Sequence, residues 1–228
     1  MCNLYSITKG PQAIMDATNA MMNRTGNLEP IPGVYPDYSA PIVRKGAEGR
    51  ELALARWGMP SPAFALQGRN SDSGVTNVRN TTSPHWKRWL GVDNRCLVPF
   101  TSFCEPDQAS GSKKNTWFAF DETRPLAFFA GIFTNWTSVR KVKEGEVTCD
   151  LFAFLTTDAN TEVASVHPKA MPVILTQPEQ LELWLNAPWA EASTLQRSLP
   201  DFTLQIVLRG EKRDASSTVD PFLRLESK

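Results

Sequence analysis

Long apolar runs are missing from this chain. No stretch approaches the ~20 residues a helix needs to cross a bilayer, and the N-terminus lacks the basic region, apolar run and cleavage site of a secretory signal. A soluble cytosolic protein with reduced thiols is expected. Excess charge of either sign is missing too: 24 Lys and Arg face 24 Asp and Glu. No global field draws the protein to nucleic acid or to an anionic membrane, so a polyanion has to be held by a local patch. The cysteines, Cys2, Cys96, Cys104 and Cys149, include no CxxC pair, and the two histidines complete no familiar zinc spacing. Neither a metal nor another cofactor is expected. Internal repeats and low-complexity linkers are also wanting. At 228 residues and 41% hydrophobic composition, the chain fits one domain over residues 1–228.

What is present reads as strands more often than helices. "IVRKGAEGRELALARWGM" predicts two strands around a Gly-rich turn, and "RCLVPFTSF", "TWFAFD", "PLAFFAGIFTNW", "DLFAFLTT", "MPVILT" and "FTLQIVL" are further short apolar runs between turn signals. Eight or nine strands result. Residues 67–75 and 138–147 read as exposed loops. Helices are predicted at "PQAIMDATNAMM", where Ile14, Ala17 and Met21 share a face behind Pro11, and at "SPHWKRWLG". A third is predicted at "TQPEQLELWL", with Thr176 and Glu179 at capping-box spacing. The fold class is α+β, a β-rich domain with mixed or antiparallel, barrel-like sheets and a few short helices.

Four places carry chemistry. Cys2 follows a methionine that is trimmed when the next side chain is small, so the mature chain would begin with an α-amine and a thiol two carbons apart. In "VTNVRNTTS" strand alternation would set Asn77, Arg79 and Thr81 on one face, an amide beside a guanidinium that can clamp a phosphate. Glu105 ends an apolar run, where desolvation would raise its pKa toward neutrality. His167 precedes a loop that feeds a buried strand, near a site mouth, whereas His85 reads as an exposed helix residue. Each also has a plain structural reading: a solvated strand, a surface acid, a packed imidazole. Trp86 and Trp89, three apart on one helix face, read as core or as a base-stacking pair.

Taken together, the Cys2 start, "RWGMPSP", "TNVRNTT", "RCLVPFTSFCEP" and "HPKAMPVIL" resemble, in order and spacing, the SOS response-associated peptidase family. The resemblance covers nearly the whole chain. It implies that Cys2 is the nucleophile, that Asn77, Glu105 and His167 complete the catalytic set, and that Arg79 contacts DNA. It also implies a fold in which several strand ends converge on Cys2, and a partner: single-stranded DNA carrying abasic sites. The chain departs from the family's usual Cys-Gly-Arg-Phe start with Asn3, Leu4 and Tyr5. It carries Thr81 where an acid is usual and Pro106 where an aromatic is usual, and its histidine loop is one residue longer, with Lys169 as the basic residue.

The chemistry implied gives Cys2 its purpose. An α-amine condenses with the aldehyde of a ring-opened abasic sugar, and the neighbouring thiol closes on the imine carbon to form a thiazolidine. The α-amine, with a pKa of about 7.7–8.0, is partly neutral in the cell. Glu105 would take up the proton released in the attack, and His167 would move a proton at the sugar oxygen. Lys87 and Arg88, together with Arg79, Arg95 and Asp93, form a local basic patch for phosphates, and Lys169 is a further candidate. The expected protein is a monomer, cytoplasmic and associated with the nucleoid when bound to DNA. Two other functions fit an N-terminal Cys with helper acid and base: an autoprocessing peptidase or amide hydrolase, and a noncatalytic reader of modified DNA bases.

Overall fold

A computed structural model describes residues 2–214. In chain order the strands are β1 (Leu4–Ile7), β2 (Met22–Asn23), β3 (Ile31–Val34), β4 (Ser39–Gly46), β5 (Gly49–Trp57), β6 (Asn77–Val78), β7 (Arg95–Phe100), β8 (Ser102–Pro106), β9 (Asn115–Ala119), β10 (Ala127–Val139), β11 (Glu146–Thr157), β12 (Met171–Pro172), β13 (Ile174–Leu175) and β14 (Gln205–Arg209). The α-helices are short: α1 (Pro11–Thr18), α2 (Pro84–Lys87), α3 (Thr161–Ala164), α4 (Pro178–Asn186) and α5 (Trp189–Ala192).

The longest strands form a ring. β11, β10, β7, β4 and β5 pair in that order, and β5 then pairs parallel with β11, Arg56 opposite Leu151 and Trp57 opposite Phe152. The closed, mixed barrel leaves β5 and β11 no edge in this stretch. A second sheet, antiparallel throughout, runs β14-β9-β8-β1-β3. The two share one apolar core: Tyr5 of β1 meets Trp57, Phe129 and Phe154 of the barrel edge-on, and Phe100 stacks on Phe129 at 3.9 Å between ring centres. Such aromatic pairs contribute about 1 kcal/mol each beyond the area they bury. The β-rich α+β class with barrel-like mixed and antiparallel sheets is thus the one observed.

Local features differ from the sequence expectation for identifiable reasons. Fourteen strands replace eight or nine among the described residues, because several are two-residue segments too short to carry a periodic pattern. "RCLVPFTSF" is two strands: at Thr101, whose N–H donates to the Ser6 carbonyl, the chain leaves the barrel and enters the second sheet. Helix α1 ends at Thr18 with Asn19 in the left-handed region, so Met21 lies beyond it and is exposed. The box at the start of α4 is built by Gln177 and Gln180, not Thr176 and Glu179; Gln180 Oε1 accepts from the backbone N–H groups of Thr176 and Gln177. Of residues 138–147 only 140–145 are loop, since β10 runs to Val139 and β11 starts at Glu146.

Within the stretch 140–145 that remains loop, Arg140 is buried and acts as a clamp. Its guanidinium donates to the carbonyls of Gly58 and Ser73 and pairs with Asp37 at 3.2 Å. Gly58 and Gly74 leave the room: a Cβ on either would lie 2.5 Å from an Arg140 nitrogen. The segment leading into β6 is thereby tied to the end of β5.

Candidate active site

β1 and β8 run antiparallel with Leu4 opposite Cys104. That register brings the residues just ahead of β1 alongside the end of β8, where Glu105 sits. β6 arrives from the barrel, held against β11 with Asn77 opposite Phe154. The strand ends meet at Cys2: Asn77 Nδ2 donates to the Cys2 carbonyl at 2.8 Å and to Thr76 Oγ1 at 2.8 Å, while Thr76 Oγ1 donates to Asn3 Oδ1 at 3.2 Å. The Cys2 thiol donates to the Leu4 carbonyl at 3.4 Å. A polar lattice of this kind fixes the direction in which residue 2 leaves the sheet.

His167 enters from the loop after α3. Its Nδ1 lies 3.2 Å from the Ala170 carbonyl and 3.9 Å from Glu105 Oε2. A carbonyl only accepts, so Nδ1 carries the proton and Nε2 is the basic nitrogen. Glu105 is 0% and His167 2% exposed. Asn77 is 7% exposed, and its Oδ1 is buried with no hydrogen-bond partner among the described residues. An acceptor so placed has room in its hydrogen-bond inventory for a donor from outside the described residues.

Burial dominates the electrostatics. It pushes the Glu105 carboxyl up to about 8, into the range where it exchanges protons in both directions at neutral pH. It pushes the Cys2 thiol well above its ordinary value, with the nearby Glu105 charge adding to the effect, so the thiol stays protonated. His167 is held below its ordinary value, again chiefly by burial.

These shifts set a pH dependence of stability. A Glu105 that titrates near 8 when folded but near 4.5 when unfolded binds more protons in the folded state between those values. Its stabilising contribution is therefore complete below about pH 4.5 and is lost as pH rises through 8. Glu105→Gln should remove this slope. The melting temperature of the variant minus that of the parent should grow between pH 5 and pH 8, by roughly 5–10 °C, on the order of a few kcal/mol. His167 acts in the opposite sense, losing stability as pH falls, and that limb should persist in the variant. A difference that stays constant across the range would mean that Glu105 is not held protonated.

The other sequence candidates lie elsewhere. β6 ends at Val78, so the alternation proposed for Asn77, Arg79 and Thr81 does not continue. Arg79 is at the surface, its Nη2 2.5 Å from Asp158 Oδ1, and Thr81 donates to Gln196. Lys87 and Arg88 are exposed at the end of α2, and Arg88 lies over the Trp89 ring. Trp86 and Trp89 are buried in the core. His85 is not an exposed helix residue: its Nε2 bonds the Pro60 carbonyl at 2.9 Å and its ring packs edge-on against both tryptophans. Lys169 is exposed in the His167 loop. Sequence reasoning missed Thr76, whose hydroxyl links Asn3 to Asn77, and Asp158; neither belongs to a motif of its own. Among the described residues no group of three His, Cys, Asp or Glu side chains is placed to hold a metal ion, and no helix is long and apolar enough to cross a membrane.

A small closed barrel with a flanking antiparallel sheet, whose strand ends gather around a cysteine at position 2, defines the fold class. The chain belongs to the SOS response associated peptidase (SRAP) family, whose profile matches residues 1–208. It is 26% identical over 181 residues to the abasic site processing protein YoqW of Bacillus subtilis, spanning 78% of this chain and 76% of that protein. It is also 26% identical over 190 residues to the abasic site processing protein YoaM of the same organism, spanning 82% and 79%. Among solved structures, a protein from Bacteroides thetaiotaomicron superimposes with a TM-score of 0.71 at 21% identity over 90% of both chains. A phage-related protein from Bordetella bronchiseptica gives 0.63 at 21% identity over 90% of this chain and 92% of that one. At those identities the likeness is one of fold.

Proposed function

We propose that this protein senses abasic sites in single-stranded DNA and links to them covalently through Cys2 after removal of Met1, so protecting the lesion. The observation that carries the proposal is the gathering of Asn77 on the Cys2 carbonyl and of the Glu105–His167 pair beside it, in a chain whose relatives YoqW and YoaM are named for abasic site processing.

The steps balance without a cofactor. Loss of Met1 exposes the Cys2 α-amine. Its nitrogen adds to the C1′ aldehyde carbon of the ring-opened sugar, the carbinolamine loses water, and an imine remains. The sulfur then adds to the imine carbon while the thiol proton passes to nitrogen, closing a five-membered thiazolidine. Glu105, titrating near neutrality, takes the proton released by the attacking amine and returns one to the departing hydroxyl. His167 Nε2 moves the proton of the sugar hydroxyl during ring opening. Asn77 holds the Cys2 backbone and offers Oδ1 to the Cys2 α-amine or to the incoming sugar.

A protonated Cys2 thiol favours this order, amine first and sulfur second, over an amide hydrolase. Cysteine hydrolases work through a thiolate whose pKa is lowered by a neighbouring cation, and here the largest influences on the thiol raise it. A peptidase would turn over a peptide without DNA, and a reader of modified bases would bind intact duplex reversibly. Incubation with an abasic oligonucleotide followed by a denaturing gel separates the three: a shifted band that survives denaturation is expected, and its absence at saturating DNA would overturn the proposal.

Arg79 would serve the DNA side. Its pair with Asp158 joins two exposed side chains, worth at most about 1 kcal/mol, so a phosphate can displace the acid cheaply. Arg79→Ala should weaken single-stranded DNA binding several-fold and flatten its salt dependence by about 0.7 in logarithmic slope, one phosphate contact. Asp158→Asn should tighten binding. Salt series that superimpose on the parent's would remove Arg79 from the interface.

A further inference from the structure

The turn between β8 and β9, residues 107–114, reads "DQASGSKK" and returns the chain from Glu105 to Asn115, with Pro106 opposite Asn115 at its base. It is not a loose loop. The backbone N–H groups of Gln108 and Ala109 both donate to the carbonyl of Val166, at 2.9 and 3.0 Å, and Val166 immediately precedes His167. Within the turn, Asp107 Oδ1 accepts from the Ser110 N–H, the Asp107 carbonyl accepts from the Lys113 N–H, and the Lys114 carbonyl accepts from the Asp107 N–H. One element thus joins the strand that carries Glu105 to the loop that carries His167.

Its outer face is basic. Lys113 and Lys114 are exposed, and neither makes an ion pair among the described residues. Lys169 is exposed two residues beyond His167. β14 brings more positive charge to the base of the turn: Arg209 lies opposite Thr116, followed by the exposed Lys212 and Arg213. The local acids are Asp107, engaged by Ser110 and 3.7 Å from Arg209, and the exposed Glu211. On a protein with equal numbers of positive and negative side chains, this is an uneven distribution, and it lies beside the two buried proton-handling groups rather than around Arg79.

We propose that the 107–114 turn is an arm that binds the phosphate backbone of single-stranded DNA through Lys113 and Lys114, next to the Glu105–His167 pair. The inference rests on the DNA-directed reading of the site and names a second phosphate contact region for it, apart from Arg79. Two lysines on a rigid turn hold phosphates by charge, with no base readout. The double hydrogen bond to Val166 keeps the arm in fixed register with the loop that positions His167.

The test is noncovalent binding of an undamaged single-stranded oligonucleotide, measured across a salt series with the full chain. Because no abasic sugar is present, its result is independent of the linking chemistry. The double variant Lys113→Ala/Lys114→Ala should raise the half-saturating concentration about tenfold near 50 mM salt and reduce the logarithmic salt slope by about 1.4, two contacts' worth. Lys113→Arg/Lys114→Arg should retain parental binding, and the melting temperatures of both variants should match the parent's. An alanine double variant that binds with the parent's affinity and slope, or a parent that does not bind the oligonucleotide, would overturn the arm. A failure to link abasic DNA in the presence of normal oligonucleotide binding would count against the covalent chemistry alone.

Discussion

Cys2→Ala should cut abasic DNA where the parent is expected to link to it. The variant retains an N-terminal α-amine once Met1 is removed, since alanine is also small enough to permit trimming. That amine still forms an imine at C1′, but no sulfur is present to close the ring. The imine acidifies the proton on C2′; its removal expels the 3′ phosphate, and the strand breaks by β-elimination. The parent should give a stable linked species in high yield. Cys2→Ala should give shortened DNA, with an adduct captured only when a hydride reductant is added. The stable adduct is expected to fall at least a hundredfold, because ring closure is lost altogether. A Cys2→Ala protein that accumulates a stable adduct without reductant would place the linkage on another residue.

The second large effect concerns the two groups proposed to handle protons. Glu105→Gln and His167→Ala should each slow linkage about 10²-fold, the scale of losing a general acid or base. Glu105→Gln is nearly isosteric, so its slowing should come without loss of fold. The parent's rate should also depend on pH through the Glu105 carboxyl, which burial pushes up to about 8. That dependence should vanish in Glu105→Gln and persist in Asn77 or Arg79 variants. Stopped time courses of adduct formation over pH 6–9 measure both. Rates within twofold of the parent's would remove the two residues from the chemistry.

Much of the candidate site was legible because its members lie in compact sequence signals. A cysteine behind the initiator methionine, a Glu at the end of an apolar run and a His before a buried strand each mark a place where a polar group meets the core, and Glu105 and His167 are indeed both buried within 4 Å of one another. The apolar runs likewise announced the barrel strands. Closure of the barrel did not show, because the pairing of Trp57 with Phe152 joins residues far apart in sequence through two central strands with no turn between them. The same holds for Arg79 and Asp158, and for the turn at Gln108 and Ala109 held by Val166. His85 was misread because helical periodicity predicts which face is apolar but not that the Pro60 carbonyl would cover it. Alternation failed at Val78 because β6 contributes only two residues to the sheet.

The claim at the centre is that the adduct joins C1′ of the sugar to both the nitrogen and the sulfur of Cys2. An imine and a thiazolidine have the same mass, so the decisive measurement is mass spectrometry of the N-terminal peptide after linkage, nuclease digestion and treatment with a thiol-alkylating reagent. The proposed structure predicts a peptide that begins at Cys2, has gained the sugar less one water, and takes up no alkyl group at Cys2. A parallel sample in which Met1 is retained should show no sugar and an alkylated thiol. A sugar-bearing peptide that still carries Met1, or one whose Cys2 is alkylated, would contradict the aminothiol mechanism.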